Sequence, residues 1–274
     1  MRHPVFWNTR VMKLLVCVKQ IADPDAPVCI NADRNWVEND GGAFVMNRFD
    51  GFALEEALRI REEIPDTRID VISVGPERVD AVLRRSLGMG ADHGIHILTE
   101  SDGYLNPFAT AAWIAAYART CNYDLILTGV MSGDDMNGQV GPLAAEMLHL
   151  PCATAVIFRR MLPESGRIYV EREMEGGLRD TLEIMLPALL TLQSGINQPR
   201  YPSLSRMLRA NKHCLDVISS ASLESPPIHL SVMQIALPQK MRAGLFLEGT
   251  AQEKARQLLD ILKTHSMPAS ENVA

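Results

Sequence analysis

Apolar positions along the chain fall into short continuous runs that alternate with amphipathic stretches. Lys13 to Ile21 (KLLVCVKQI) is rich in β-formers and reads as a buried strand. A loop of Asp, Pro, Asn and Gly follows to about Gly42, with room for a small hairpin. Asp50 to Glu63 then places apolar residues at helical spacing and predicts an amphipathic helix. Arg68 to Val74 predicts a strand, Glu77 to Leu87 a helix, and Gly94 to Leu98 another strand. Asn106-Pro107 opens a helix to about Cys121, the proline being suited to a first turn. Asp124 to Thr128 is a fourth strand, and a helix runs from about Gln139 to Leu148. Such alternation predicts an α/β fold, a doubly wound and mostly parallel sheet with helices on both faces. Ligands of such sheets bind outside the carboxyl ends of the strands.

The pattern changes at Ala153. Ala153 to Phe158, Arg167 to Arg172, Asp180 to Met185 and Ala188 to Leu192 read as strands with no helix between them. They predict an antiparallel extension of the same sheet. A short helix is expected around Leu204 to Ala210 and a Ser/Pro-rich linker over Ser219 to Pro227. Two late strands are expected near Val232 to Ile235 and Gly244 to Leu247. Thr250 to Thr264 reads as a final amphipathic helix. Met12 opens the regular part of the chain and is the expected native start, with residues 1–11 a non-native or disordered extension.

Composition narrows the classes. Of 274 residues 47% are apolar and 22% charged, enough apolar material to build a core and exclude global disorder. Aromatics are only 5%, against 18 glycines and 14 methionines, so the core should be aliphatic with close backbone approaches. A net charge of −6 argues against a nucleic-acid polymer as partner. The five cysteines are scattered, without a C-x-x-C pair, and read as reduced, mostly buried residues of a reducing compartment. No apolar run approaches the ~18 residues of a membrane span, so no membrane insertion is expected. Ile184 to Leu192, broken by Pro187, reads as a strand pair. Residues 1–11 lack the apolar segment of a secretory signal.

The most informative segment is Gly129 to Pro142 (GVMSGDDMNGQVGP), between a strand end and a helix start. Its four glycines and small residues can present successive backbone N–H groups to a phosphate, with the helix dipole adding to the field. A plain strand-to-helix turn is the competing reading, and Asp134 and Asp135 could be helix-capping acids. There is no lysine for a Walker loop and no G-x-G-x-x-G. His93 and His96 should point to opposite faces of a strand and share no metal. His149 reads as a helix C-terminal dipole partner. Ser132 lacks the context of a nucleophile elbow, and Cys17 sits mid-strand as a packed residue. The acid pairs Glu55/Glu56 and Glu62/Glu63 fit a solvated helix face. The residues offer a nucleotide-type pocket without a catalytic set.

Several segments taken in order resemble the β subunit of electron-transfer flavoproteins. LLVCVKQ looks like that family's opening strand, and VMNRFDGFALEEALRI is similar to its next segment, with Arg48 in place of the usual Pro. VISVGPERVDAVLRRSLGMGADHGIHI resembles the following strand, helix and strand. Gly129 to Gly141 is similar to the family's nucleotide loop. VEREMEGG with LPALLT resembles its signature region, and INQPRYPSLSRMLRANK a further one. The resemblance covers about Met12 to Leu262.

This resemblance implies an electron-carrier subunit without catalytic residues of its own, cytoplasmic, on an adenine-nucleotide α-hydrolase-like fold. It implies a heterodimer with an α subunit that holds most of a shared FAD, and partner dehydrogenases of the acyl-CoA type with a quinone reductase or similar acceptor. The β subunit would hold AMP or, in electron-bifurcating members, a second FAD. The matching cofactor positions are Cys17, Asn47, Arg48, Phe49, Asp50 and Val74. In the loop they are Gly129, Val130, Met131, Ser132, Gly133, Asp134, Asp135, Met136, Asn137, Gly138, Gln139 and Val140. Phe49 matches an aromatic near the α-subunit flavin. Gln193 to Tyr201 matches a loop that docks dehydrogenases, with Ile196 as apolar anchor and Asn197, Pro199, Arg200 and Tyr201 around it. Residues 12–200 would form the nucleotide-binding domain and 201–274 an arm on the α subunit. Gly138, Val140 and Pro142 favour the bifurcating type, whereas Asp135 and Met136 do not, so AMP and a second FAD both stand. A free-standing AMP/ATP sensor without redox role is the alternative, and it would have no use for the docking loop and arm.

Overall fold

The computed structural model describes residues 11–34, 36–38, 42–100, 103–224, 227, 231–237 and 244–265. The expected N-terminal extension lies, Val11 apart, outside them. β1 (Lys13–Cys17) is apolar and buried beyond its first residue, the mark of a central parallel strand. The chain continues through β2 (Gln20–Ala22), β3 (Cys29–Ile30), β4 (Val37–Glu38) and β5 (Phe44–Met46). The single strand expected over Lys13 to Ile21 is therefore broken. β1 stays in the large sheet, while β2 leaves it to pair with β5, and β3 pairs with β4.

Then come α1 (Arg48–Glu63), β6 (Arg68–Gly75), α2 (Asp80–Met89), β7 (His93–Leu98), α3 (Pro107–Ala118), β8 (Leu125–Gly129) and α4 (Val140–Leu148). Asn106 caps α3 by accepting the Phe108 N–H, with Pro107 in the first turn. α4 ends on His149 in the left-handed conformation, φ 56°. Four strands follow, β9 (Cys152–Leu162), β10 (Arg167–Glu173), β11 (Arg179–Met185) and β12 (Ala188–Leu192). After them come α5 (Leu204–Ala210), β13 (Asp216–Ser219) and α6 (Ala251–His265).

One nine-stranded sheet runs β11-β10-β9-β12-β8-β1-β6-β7-β13. From β9 to β13 every neighbouring pair is parallel, and β10 and β11 extend it antiparallel. β11 and β12 do not pair with each other, because β12 inserts between β9 and β8. Leu14 and Val16 face a core layer shared with α1 and α2, while Leu15 and Cys17 face α3 and α4. Both cores are almost wholly aliphatic.

Other expectations give way to tertiary context. β13 was hidden in a short polar stretch and forms only because β7 offers a free edge. Val232 to Ile235 and Gly244 to Leu247, expected as late strands, have no ladder partner and form none. Only Cys17 is buried; Cys121 is half-buried and Cys29, Cys152 and Cys214 are exposed, since they sit at element ends and in the small hairpin. Glu55 and Glu56 are buried rather than solvated, because arginines from elsewhere in the chain reach them.

The chain divides into two compact units, one to Ile235 and one from Ala236. α5 packs on α2 and β13 on β7, which keeps both in the first unit. In the second, Thr250 and Glu253 form a capping box at the start of α6, whose Leu258 and Leu259 lie on a half-exposed apolar stripe.

Arg159 on β9 is 7% exposed and donates to Glu56 (2.6 Å) and Glu63. Breaking such a pair leaves a buried carboxylate without its cation, at a cost of about 3–5 kcal/mol. Arg159→Ala should therefore lower the unfolding free energy by that amount, read as a lower denaturant midpoint at unchanged slope, while Glu63→Ala, which removes the exposed partner, should cost under ~1 kcal/mol.

Candidate functional site

The carboxyl ends of β1, β6 and β8 meet the first turns of α1, α3 and α4 around a cleft of about 100 Å³. This is where doubly wound sheets bind ligands. Asp50 joins three of these elements. Its carboxylate accepts the backbone N–H of Lys19 (2.7 Å), just past β1, and of Gly129 (3.1 Å), the last residue of β8. Burial pushes this carboxyl up to about 7, against the pull of hydrogen bonds from Lys19, Asn47 and Gly129 and of the Lys19 charge. Burial, with the Asp50 charge adding to it, also holds the Cys17 thiol far above its ordinary range. Cys17 is thus a neutral wall residue, not a nucleophile.

Asn47 precedes α1 and reaches across to the 129–141 loop. Its Nδ2 donates to the Met131 carbonyl (2.9 Å) and its Oδ1 accepts the Gly133 N–H (3.1 Å). The loop is also ordered from within. The Ser132 N–H donates to the Asn137 carbonyl (2.9 Å), and Asp135 accepts from the Ser132 hydroxyl and the Asn137 N–H. The Asn137 side chain accepts the Gln139 N–H (2.9 Å), and Lys19 pairs with Asp134 at 2.7 Å. Neither acid caps α4, whose N-cap is Gln139 without a side-chain bond. Met136 sits at φ 54° and is exposed at the loop tip. Gly138, Val140 and Gly141 line the cleft, and their backbone N–H groups find no acceptor among the described residues. Free amides at the start of a helix, with its dipole behind them, fit a phosphate.

Of the positions matched by resemblance, Cys17, Asn47, Asp50, Val74, Gly129, Val130, Ser132, Asp135, Asn137, Gly138 and Val140 line the cleft. Met131, Gly133, Asp134, Met136 and Gln139 shape the loop without lining it. Arg48 and Phe49 lie in the first turn of α1; Phe49 presses on Gly129, where a Cβ would come within 2.6 Å of its own. Lys19, Leu105, Thr110, Ile114 and Thr128 also line the cleft, beyond the positions matched by resemblance. The placement of ligand sites at strand ends would have found Lys19 and Thr128. The α3 residues needed the packed fold.

The 193–201 segment lies along α1 on the side that carries its glutamates. Arg200 donates to both oxygens of Glu55 (2.8 Å each) and reaches Glu62 at 2.9 Å. Asn197 donates to the Phe52 carbonyl (2.9 Å) and to Glu56 (2.8 Å). Pro199 packs against Gly51. Ile196 is half-buried against the core, and Tyr201, 87% exposed, is the aromatic this segment presents outward.

His93 pairs with Asp216 (3.2 Å), while the buried His96 lies between the Gly75 carbonyl (2.9 Å) and Asp80 (2.8 Å). They face apart, and among the described residues no cluster of three His, Cys, Asp or Glu could hold a metal. No helix among the described residues is long and apolar enough to cross a membrane.

Comparison with known proteins follows the same lines. The model of the electron transfer flavoprotein domain matches residues 35–219. The electron transfer flavoprotein subunit beta of Bacillus subtilis is 31% identical, over 93% of this chain and 99% of its own. That of Methylophilus methylotrophus is 32% identical over 92% and 98%, and that of Homo sapiens 33% over 87% and 94%.

Asp50 makes stability depend on pH. The unfolded chain releases this proton near 3.8, whereas the folded chain keeps it to about 7. Raising pH through that window therefore costs stability, which is fully present below it. Asp50→Asn cannot titrate. Measured by thermal unfolding, the wild type should lose on the order of 5 °C relative to the variant between pH 4 and pH 8. A constant difference between the two across that range would refute the assignment.

Proposed function

Because the chain belongs to the electron transfer flavoprotein family, among its beta subunits, we propose that it serves as the non-catalytic half of an α/β electron carrier and holds an adenine nucleotide in the cleft above β1 and β8. The observation that carries this is the set of three free backbone amides, Gly138, Val140 and Gly141, at the start of α4. They fit a phosphate without any nearby cation to spare, since Lys19 is already paired with Asp134. The apolar wall of Leu105, Pro107, Ile114 and Val140 fits a purine. AMP and the adenylate half of an FAD share this chemistry.

FAD bound between this chain and an α subunit supplies the redox chemistry, accepting and passing on electrons. The chain's own residues bind, orient and exclude water. Phe49, in the first turn of α1 and held against Gly129, would be the aromatic beside that flavin. The 193–201 segment, clamped to α1 by Arg200 and Asn197, presents Tyr201 to a partner dehydrogenase of the acyl-CoA type. Electrons leave to a quinone reductase or similar acceptor. The second unit, with α6, serves as part of the arm that rests on the α subunit. The setting is the cytoplasm.

Co-expression with the α subunit, followed by release and quantification of nucleotides, tests this reading. One FAD and one AMP per heterodimer is the outcome for an ordinary carrier. Two FAD per heterodimer would identify a bifurcating type. A stable colourless chain that neither takes an α partner nor carries any adenine nucleotide would sink the proposal.

A further inference from the structure

A second and larger groove shares Asn47 with the cleft. Its walls are β5, the first turns of α1, the exposed side of α2, the 194–201 segment and Met207 of α5. It holds about 940 Å³, at the upper end of the roughly 300–1,000 Å³ of ligand pockets. Its floor is apolar, with Met46, Phe52, Val82 and Met207 among its residues.

Its charge is of one sign. Arg48, Arg85 and Arg200 line it, and no Asp or Glu does so among the described residues. Arg200 is neutralised from behind by Glu55 and Glu62. Arg48 and Arg85 are exposed and have no carboxylate partner among the described residues. In a chain with 33 acidic and 27 basic residues, such a mouth is not the background of the surface. Two unpaired guanidiniums flanking an apolar floor are complementary to carboxylates flanking an apolar side chain.

We infer that this groove receives an acidic, apolar-centred segment of the α subunit, with its carboxylates on Arg48 and Arg85. The inference rests on the heterodimer reading above and adds the surface and the chemistry of the contact. Occupation by an FAD phosphate alone would leave the apolar floor of the groove uncovered.

The test uses the full chain titrated with the α subunit at low and at high salt. Charge reversal at both positions, Arg48→Glu with Arg85→Glu, should weaken assembly on the order of 100-fold at low salt. It should also flatten the salt dependence seen with the wild type, because the attraction that salt screens is gone. Both arginines are exposed, so thermal unfolding of the double variant should match the wild type. Arg48→Lys with Arg85→Lys should keep most of the affinity. A double reversal that assembles with wild-type affinity and salt dependence overturns the inference and leaves the heterodimer standing. A wild-type chain that forms no complex overturns both.

Discussion

Asp50 is the constraint on which the cleft depends. A carboxylate in the first turn of a helix would ordinarily face solvent and the helix dipole. Here it is driven into the fold to accept one amide from the end of β1 and one from the end of β8. Those strands are neighbours in the sheet, and both amides lie where the ladder stops. Without an acceptor they would be part-buried donors left unpaired. The same contact explains why β8 ends on glycine. A Cβ at Gly129 would stand 2.5 Å from Asp50 Oδ1 and 2.7 Å from the Phe49 carbonyl carbon, so α1 could not approach. One close approach of backbones thus sets the position of Phe49, Asn47 and the loop that Asn47 holds.

α1 extends this control along its length. Its N-terminal turn serves the cleft, and its middle and last turns serve the 193–201 segment through Glu55, Glu56 and Glu62. These carboxylates are satisfied by Arg200, Asn197 and, from the sheet, Arg159. Arg200 holds the Glu55 carboxyl below its ordinary range. A bidentate guanidinium fixes direction as well as distance. The cleft and the segment are therefore attached to one rigid helix, and any exchange between them must move α1 as a body.

The strand pattern was legible because the central strands are buried on both faces and read as unbroken apolar runs. KLLVC and ALLTL announce themselves, and the switch at Ala153 to strands without helices announces the sheet's extension. The glycine loop was legible for a similar reason, since small residues between a strand and a helix have few other uses. What the sequence conceals is pairing at a distance. Nothing near Glu55 and Glu56 tells that Arg159 and Arg200, more than a hundred residues away, will bury them. Nothing in DVIS tells that β7 has an edge to fill, and the late apolar runs look equally like strands until no edge is found for them. Thr110 and Ile114 reach the cleft from α3, whose packing on the sheet no local pattern decides.

The cleft and the groove divide the chain's charge in opposite ways, and this bears on what each can hold. In the cleft the cation is spent within the protein, on Asp134, and the remaining donors are backbone amides fixed by the loop's own hydrogen bonds. Such a cradle is ordered before any ligand arrives, so little conformational entropy remains to be lost on binding. Its donors are dipoles rather than ions, so added salt weakens it little. It is suited to a resident nucleotide that belongs to the subunit's architecture. In the groove the Arg48 and Arg85 guanidiniums are exposed and unpaired among the described residues, and their attraction acts at a distance before contact. That suits a partner that must be found in solution and aligned. Asn47, common to both sites, lies where a resident ligand and an arriving chain would meet across a single residue.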